Sequence, residues 1–294
     1  MKNLMIPALA LFLSAAAQAD DSPLWMRYCA ISPDGQTIAF SYQGDIYTVP
    51  SSGGKARQLT THPAHDTRPV WSPDGQRIAF ASNRSGNFDV FLMNKEGGEP
   101  KRLTTHSTNE YPTTFKDNGH ILYLANVLQD AKDIQFPGTR FMQVYEISTD
   151  GGRPDLYSSL YMENIALSKD GSKLLYNDYK GYEDPWRKHH QSSITRDIWL
   201  CTLGKDRSFQ KVTTFGGEDR NPVWAADGAS FYYLSEEKGS FNIFKKDLAG
   251  NSEKQITTHT THPCVSLPPI IPGLYAIVTT ARSIPLRKAR NLPR

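Results

Sequence analysis

The stretch WSPDGQRIAFAS at residues 71–82 repeats, nearly unchanged, the stretch ISPDGQTIAFS at residues 31–41. Looser copies follow along the chain as KDNGHILYLA, SKDGSKLLYN and AADGASFYYLS. Self-similarity at a period of about 40 to 50 residues is typical of repeat architectures, so we expect five copies of one structural unit. The turn glycines of the five copies are Gly35, Gly75, Gly119, Gly171 and Gly228.

The second copy shows the unit most clearly, because turn signals separate four strand-like runs. Strands are predicted at residues 68–71, 77–82, 88–94 and 100–106, with SPDG, NRSGN and GG in the turns between them. The third strand recurs at residues 44–50, 143–148, 196–203 and 241–248, and the fourth at residues 57–62, 211–215 and 254–259. Four antiparallel strands per unit, with no helical segment, describe a propeller blade. We therefore predict an all-β fold, a β-propeller of four-stranded antiparallel blades with five recognisable blades and an incomplete sixth.

Two repeated polar motifs look like functional sites, but structural roles explain them better. An aspartate in the repeated turn accepts hydrogen bonds from its own backbone, which favours turn chemistry over acid catalysis or calcium binding. Thr-Thr-His ends the fourth strand at residues 60–62, 104–106 and 257–259, but KVTTF lacks the histidine, which favours a link between blades over a ring of metal ligands. We predict no metal site and no cofactor. The turn aspartates are Asp34, Asp74, Asp170 and Asp227.

The two ends of the chain differ from the repeats. Lys2, the apolar run LMIPALALFLSAAA and the small-x-small site Ala17-Gln18-Ala19 have the pattern of a cleavable secretory signal, which in a bacterium leads to the periplasm. No later segment is apolar enough to cross a membrane. We predict three parts, which are a signal peptide at residues 1–19, the five-bladed propeller at residues 20–263, and a basic, proline-rich tail at residues 264–294.

The formal net charge of +3 comes from these ends. Lys2 supplies one positive charge and residues 264–294 supply five without any acid, so residues 20–263 carry −3. A mildly acidic body gives no electrostatic reason to expect nucleic acid as a partner. The cysteines leave a bridge between Cys29 and Cys201 open, although their positions in strand-like runs favour small buried residues.

Two long insertions, at residues 126–140 and 178–195, both fall between a second and a third strand, so they crowd one face of the propeller. Loops that depart from a rigid repeat are where binding usually resides. Their aromatic, guanidinium and other charged groups suit a peptide or another protein domain. An equally weighted alternative is a loop that packs over the channel or against a sister domain and binds nothing itself. The predicted peptide- or partner-binding residues are Trp186, Arg187, Lys188, His189, His190, Arg196 and Arg140.

The repeated pattern SPDG..IAF.S...G..D(I/V)(Y/F), followed by GG and LTTH, resembles the propeller repeat shared by the TolB translocation protein, the tricorn protease and some prolyl oligopeptidase-type peptidases. It covers nearly all of residues 28–262. The pattern is a strong marker of fold and a weak one of function. In the fourth copy, Trp186, Arg187, Thr195, Arg196 and the strand Ile198-Trp199 resemble the tricorn propeller more specifically.

The tricorn resemblance implies a six-bladed propeller that filters or guides peptides, followed by a second propeller, a PDZ module and a serine peptidase core. The sequence contains no Gly-x-Ser-x-Gly elbow, His-Glu-x-x-His motif or P-loop, and the family's catalytic residues correspond to none here. We therefore expect the non-catalytic propeller portion of a tricorn-like serine peptidase, whose intact parent could be homo-oligomeric. The alternative is a stand-alone TolB-like propeller, a protein-binding scaffold in the cell envelope.

The tail begins where the first strand of a sixth blade is due. Residues 264–294 contain five prolines, no Asp, no Glu and no turn signature. We expect this change to come from a shifted reading frame or another disruption of a longer gene. A native tail that binds an anionic partner is the alternative.

Overall fold

The computed structural model describes residues 26–127, 142–181, 191–250 and 252–260, and the backbone of residues 264–266 and 278–279. Strands β1 to β20 form five four-stranded antiparallel sheets, each a meander of consecutive strands, arranged as a β-propeller. The predicted fold class is confirmed. The strands are β1 (Arg27–Ile31), β2 (Thr37–Tyr42), β3 (Asp45–Pro50), β4 (Arg57–Gln58), β5 (Asp66–Trp71), β6 (Arg77–Ser82), β7 (Asp89–Asn94), β8 (Gly97–Arg102), β9 (Glu110–Asp117), β10 (His120–Ala125), β11 (Gln143–Ser148), β12 (Asp155–Ser158), β13 (Met162–Leu167), β14 (Lys173–Asp178), β15 (Ile198–Thr202), β16 (Ser208–Lys211), β17 (Asp219–Trp224), β18 (Ser230–Ser235), β19 (Asn242–Asp247), β20 (Glu253–Gln255), β21 (Cys264–Ser266) and β22 (Val278–Thr279).

The repeated turn behaves as predicted from its sequence. In the first blade, the Ser32 hydroxyl and the Gln36 N–H both donate to Asp34 Oδ1, at 2.6 and 3.0 Å. These hydrogen bonds favour the charged carboxylate, so they lower the pKa of Asp34. Asp74 and Asp170 accept the same two kinds of hydrogen bond. Asp227 accepts the Ala229 N–H and, because residue 225 is alanine, the hydroxyl of Ser230 on the other side of the turn. The aspartates are therefore turn residues, as the sequence indicated.

The fourth strands end earlier than predicted, and the reason is the first threonine of the Thr-Thr-His motif. In the second blade the Val90 N–H donates to Thr104 Oγ1 at 2.8 Å, so a side chain replaces the next backbone partner and pairing stops. We call this contact the threonine clasp. Its other members are Ile46 with Thr60, Ile198 with Thr213, and Ile243 with Thr257, at 3.0, 3.0 and 2.9 Å.

Three further sequence predictions need correction. The fourth strand of the fourth blade is β16, which ends at Lys211 instead of beginning there. The tight turn of the second blade lies at residues 95–96, and Gly97 and Gly98 begin β8 at φ 83° and 107°. The predicted link between blades is not what the rings of His62 and His106 form, because they accept the N–H of Ala64 and of Thr108, two residues on. The threonine of the motif bonds within its own blade.

Successive blades are joined by packing and by two kinds of hydrogen bond. First, the N–H of the residue that starts β5, β9 or β17 donates to a carbonyl just before the third strand of the preceding blade, at 2.7, 2.7 and 3.0 Å. Second, the indoles of Trp71 and Trp224 donate to Ala30 O and Ala166 O in the preceding blades, at 3.0 and 2.8 Å. Apolar residues from both partners fill each junction, as where Val90 packs with residues of the third blade. The core therefore lies between blades.

Cys29 lies in β1 and Cys201 in β15, and both are free thiols. Because they belong to the first and fourth blades, no bridge joins them. Burial raises the pKa of Cys29 to about 12, so this thiol stays protonated at neutral pH.

The start of the tail adopts strand structure. β21 pairs antiparallel with β22 and lies against β18, the second strand of the fifth blade. β5 and β9 lie against β2 and β6 in the same way. Residues 264–266 therefore occupy the position of the first strand of a sixth blade. A helix able to cross a membrane is absent from the residues that the structure describes.

Replacing Thr104 by Val tests the threonine clasp. Valine keeps the shape but leaves the buried Val90 N–H without its acceptor, so the free energy of unfolding should fall by about 1–3 kcal/mol. The neighbouring Thr105 is exposed, so Thr105→Val should change stability by less than about 0.5 kcal/mol. Urea denaturation of both variants measures the difference. Equal effects would mean that the clasp does not stabilise the blade.

Candidate functional site

The first strands begin on the face that carries both insertions. Glu110 pairs with Ala125, the last residue of β10, and Met162 pairs with Asp178, the last residue of β14. The two insertions, which follow β10 and β14, therefore leave beside the starts of β9 and β13. β1, β5, β9, β13 and β17 contact one another in succession, so their starts surround the propeller axis. We call this surface the channel mouth and define it by Tyr28, Arg68, Tyr111, Tyr161, Glu163, Asn164, Arg220 and Asn221.

A β-bulge near the start of four first strands shapes the channel mouth. The strand register slips there, and the bulged residue takes a left-handed conformation in each case. Non-glycine residues rarely adopt this conformation, and a bulge redirects the side chain from the regular alternation of the strand. The bulged residues are Tyr28, Arg68, Asn164 and Asn221, with φ of 52°, 55°, 50° and 54°.

In the first three blades the channel mouth is a stack of aromatic rings around one guanidinium. The Cζ atom of Arg68 lies 5.1 Å from the ring centre of Tyr28 and 4.4 Å from that of Tyr111. Tyr111 in turn lies 5.5 Å from the ring of Phe88. Burial raises the pKa of Tyr111, and the charge of Arg68 opposes this shift. A cation between two electron-rich ring faces is held by electrostatic attraction and by planar stacking.

In the fourth and fifth blades the channel mouth is a chain of ion pairs. Arg196 Nε lies 2.7 Å from Glu163 Oε2, and its Nη1 lies 3.1 Å from Glu218 Oε1. Arg220 Nη1 lies 3.6 Å from Glu218 Oε1, and the guanidinium sits over the ring of Phe241 at 4.2 Å. Burial raises the pKa of Glu218, and the two arginines counter that shift. The chain fixes the start of β17 against the fourth blade.

The second insertion leaves from a rigid stem. Lys180 forms an ion pair with Asp197 and lies 3.4 Å from Asp178 Oδ2. The Asp197 N–H donates to Asp178 Oδ1 at 2.7 Å, and the Trp199 indole donates to Asp178 Oδ2 at 3.1 Å. Both ends of the insertion are thereby held together at the channel mouth.

The structure describes one of the seven predicted binding residues, Arg196. Trp186, Arg187, Lys188, His189, His190 and Arg140 lie outside the described residues. Arg196 is described, and its guanidinium is occupied by Glu163 and Glu218. Its predicted contact with peptide stays a prediction.

Sequence reasoning missed the channel-mouth residues of the first three blades. The signal was available, because one aligned position near the start of the first strand carries different kinds of side chain in different copies. Tyr28, Arg68, Asn164 and Asn221 each stand six positions before the turn aspartate of their copy, and Tyr111 lies one position earlier than this in the third copy. In the described residues, no group of three or more His, Cys, Asp or Glu side chains is placed to hold a metal ion.

The family described as "Tricorn protease N-terminal beta propeller domain" matches residues 23–268. The chain belongs to this family. The tricorn resemblance expected from the sequence is thus confirmed, and the matched range ends just after the first residues of the tail.

Two curated relatives and two solved structures illustrate the likeness. A tricorn protease homolog of Saccharolobus solfataricus is 22% identical over 247 residues, which are 81% of this chain and 22% of that protein. Dipeptidyl-peptidase 5 of Porphyromonas gingivalis is 27% identical over 280 residues, covering 75% of this chain and 39% of that protein. The chain thus spans well under half the length of these relatives.

Among solved structures, the tricorn protease matches with a TM-score of 0.68 and 20% identity, covering 87% of this chain and 24% of that one. A putative TolB from Agrobacterium tumefaciens matches with a TM-score of 0.61 and 16% identity, covering 80% of this chain and 81% of that one. At these identities the structural matches show a common propeller fold.

Replacing Arg196 by Met tests the ion-pair chain of this tricorn-type propeller. Both Glu163 and Glu218 would lose a partner, so the free energy of unfolding should fall by about 3–5 kcal/mol. The matched control is Arg57→Met, which breaks an exposed pair with Glu96 and should cost about 0–1 kcal/mol. Equal losses in urea denaturation would contradict the stabilising role of the buried chain.

Replacing Glu110 by Gln tests a buried acid at the start of β9. Burial raises the pKa of Glu110 to about 7, and the nearby Asp89 carboxylate adds to the shift. A raised acid pKa means that the folded state binds more protons, so stability falls as pH rises from about 4.3, the ordinary glutamate value, to about 7. The variant should flatten the decrease measured by urea denaturation between pH 5 and pH 8.

The control for this pH dependence is Glu99→Gln. Glu99 is exposed, so its replacement should leave the decrease in place. A Glu110→Gln protein with the wild-type pH dependence would show that Glu110 does not titrate in this range. Asp219, whose pKa burial also raises to about 7, provides an independent second variant as Asp219→Asn.

Proposed function

We propose that this chain is the non-catalytic propeller portion of a tricorn-like serine peptidase, and that it guides or filters peptides at the channel mouth. The observation that carries the proposal is family membership combined with the site, where aromatic rings and a guanidinium lie on the same face as the stem of the second insertion. Such groups bind the mixed apolar and charged surface of a peptide. Proteolysis itself would belong to other parts of the whole protein.

The proposed location is the periplasm, reached through a signal peptide cleaved after Ala19. The support is the sequence of residues 1–19, which has a basic start, an apolar run and a small-x-small cleavage site. The proposed partners are peptides or protein domains, and the intact peptidase could assemble as a homo-oligomer.

A second candidate is a stand-alone, TolB-like propeller that binds proteins as a scaffold in the cell envelope. The supporting observation is the match to a putative TolB, which spans 81% of that chain, whereas the tricorn match spans 24% of its chain. The two candidates differ in what they bind, which is an extended peptide in the first and a folded protein in the second.

Peptide binding tests the first proposal. The purified chain should bind fluorescein-labelled peptides from a random hexamer panel, and the double variant Trp186→Ala with Arg187→Ala should weaken the best binder by about tenfold or more, as removal of an aromatic and arginine anchor does. Fluorescence polarisation measures the affinity.

The matched control is the double variant Phe209→Ala with Lys205→Ala. It removes an exposed aromatic residue and an exposed cation at the outer strand β16 and the turn before it, so peptide affinity should not change. Binding that survives the loss of Trp186 and Arg187 would remove the insertion from the site. Hydrolysis of the panel by the purified chain, with trace proteases excluded, would overturn the non-catalytic assignment.

A further inference from the structure

The cations on the insertion-bearing face differ in what neutralises them. Most arginines there have a carboxylate partner. Within the described part of the chain, the guanidinium of Arg68 has no ion pair and no hydrogen bond, and its contacts are the rings of Tyr28 and Tyr111. The paired arginines are Arg84, Arg102, Arg196 and Arg220.

Both carboxylate oxygens of Glu163, in β13, already have partners of their own. Arg196 Nε lies 2.7 Å from Glu163 Oε2, and the Tyr161 hydroxyl donates to Glu163 Oε1 at 3.0 Å. Burial raises the pKa of Tyr161, and the positive charge of Arg68 opposes this shift. The positive charge of Arg68 is therefore available to a ligand.

The backbone at this position does not require an arginine. Arg68 is bulged at φ 55°, and the equivalent residues Asn164 and Asn221 adopt the same conformation at 50° and 54°. Asparagine tolerates the left-handed region better than a long side chain does. Backbone strain held in place by the surrounding fold often marks a functional position.

We propose that Arg68, held between Tyr28 and Tyr111, binds the side-chain carboxylate of an acidic residue in a peptide at the channel mouth. A guanidinium that lies over aromatic rings keeps its in-plane N–H groups at its edge, where a carboxylate can accept two parallel hydrogen bonds. This inference rests on the proposed function, because it requires that peptides bind at this face.

The test compares two peptides that differ in one charge, acetyl-Gly-Phe-Glu-Phe-Gly-amide and its Gln counterpart, by isothermal titration calorimetry on the full chain. Wild-type protein should bind the Glu peptide about tenfold more tightly, the size expected for a charge-assisted hydrogen bond. Arg68→Asn should abolish this preference. The fold should be retained, because Asn already occupies the equivalent bulges of the fourth and fifth blades.

The matched control is Arg153→Asn, which removes an exposed arginine from the turn between β11 and β12 on the opposite face. It should keep the preference for the Glu peptide. Equal binding of both peptides by the wild type, or a preference that survives in Arg68→Asn, overturns the inference and leaves the proposed function standing. Binding of neither peptide contradicts the proposed function itself.

A third peptide separates two sources of carboxylate. The Gln peptide with a free C-terminus carries its only carboxylate at the chain end. If the wild type prefers this peptide over both amidated ones, and Arg68→Asn loses that preference, the site takes chain ends and the acidic side chain is ruled out. A preference for the Glu peptide over this one supports the inference.

Discussion

The junction between successive blades is the constraint on which the rest of this propeller depends. A single backbone hydrogen bond from the first residue of β5, β9 or β17 to the preceding blade fixes where these three first strands begin. Four of the six apolar clusters among the described residues combine side chains of two neighbouring blades, and the other two lie in the first and fifth blades. Because the bulged residue follows two positions after the residue that makes this bond in both β5 and β17, the position of the channel mouth is a consequence of how blades join.

Most of the fold could be predicted because the repeat encodes it locally. β6 and β11 fall at the predicted residues, since turn residues bound both and their apolar residues are buried. The ends of the fourth strands could not be predicted, because the threonine clasp is a contact between residues 14 or 15 positions apart. The prediction of a turn at Gly97-Gly98 was wrong, because these two glycines, despite their positive φ, are the first residues of β8.

The site was harder to predict than the fold. Six of the seven predicted binding residues lie outside the described residues, and the seventh, Arg196, is held by two glutamates that are 33 and 22 positions away in sequence. Arg68 escaped notice because its partners come from two other blades. Arg196 is neutralised by two carboxylates and holds the fourth and fifth blades together. Arg68 lies over aromatic rings instead, so its N–H groups keep their capacity to donate to a ligand.

The recurrent bulge separates the scaffold of the propeller from its specificity. At the same backbone position the chain carries Tyr28, Arg68, Asn164 and Asn221, while the strand pairing on either side stays the same. Point substitutions at these positions can therefore alter the charge and shape of the axial opening without repacking the core between blades. A family built this way can diversify its ligands from the centre of the ring, with no change in the length of any loop.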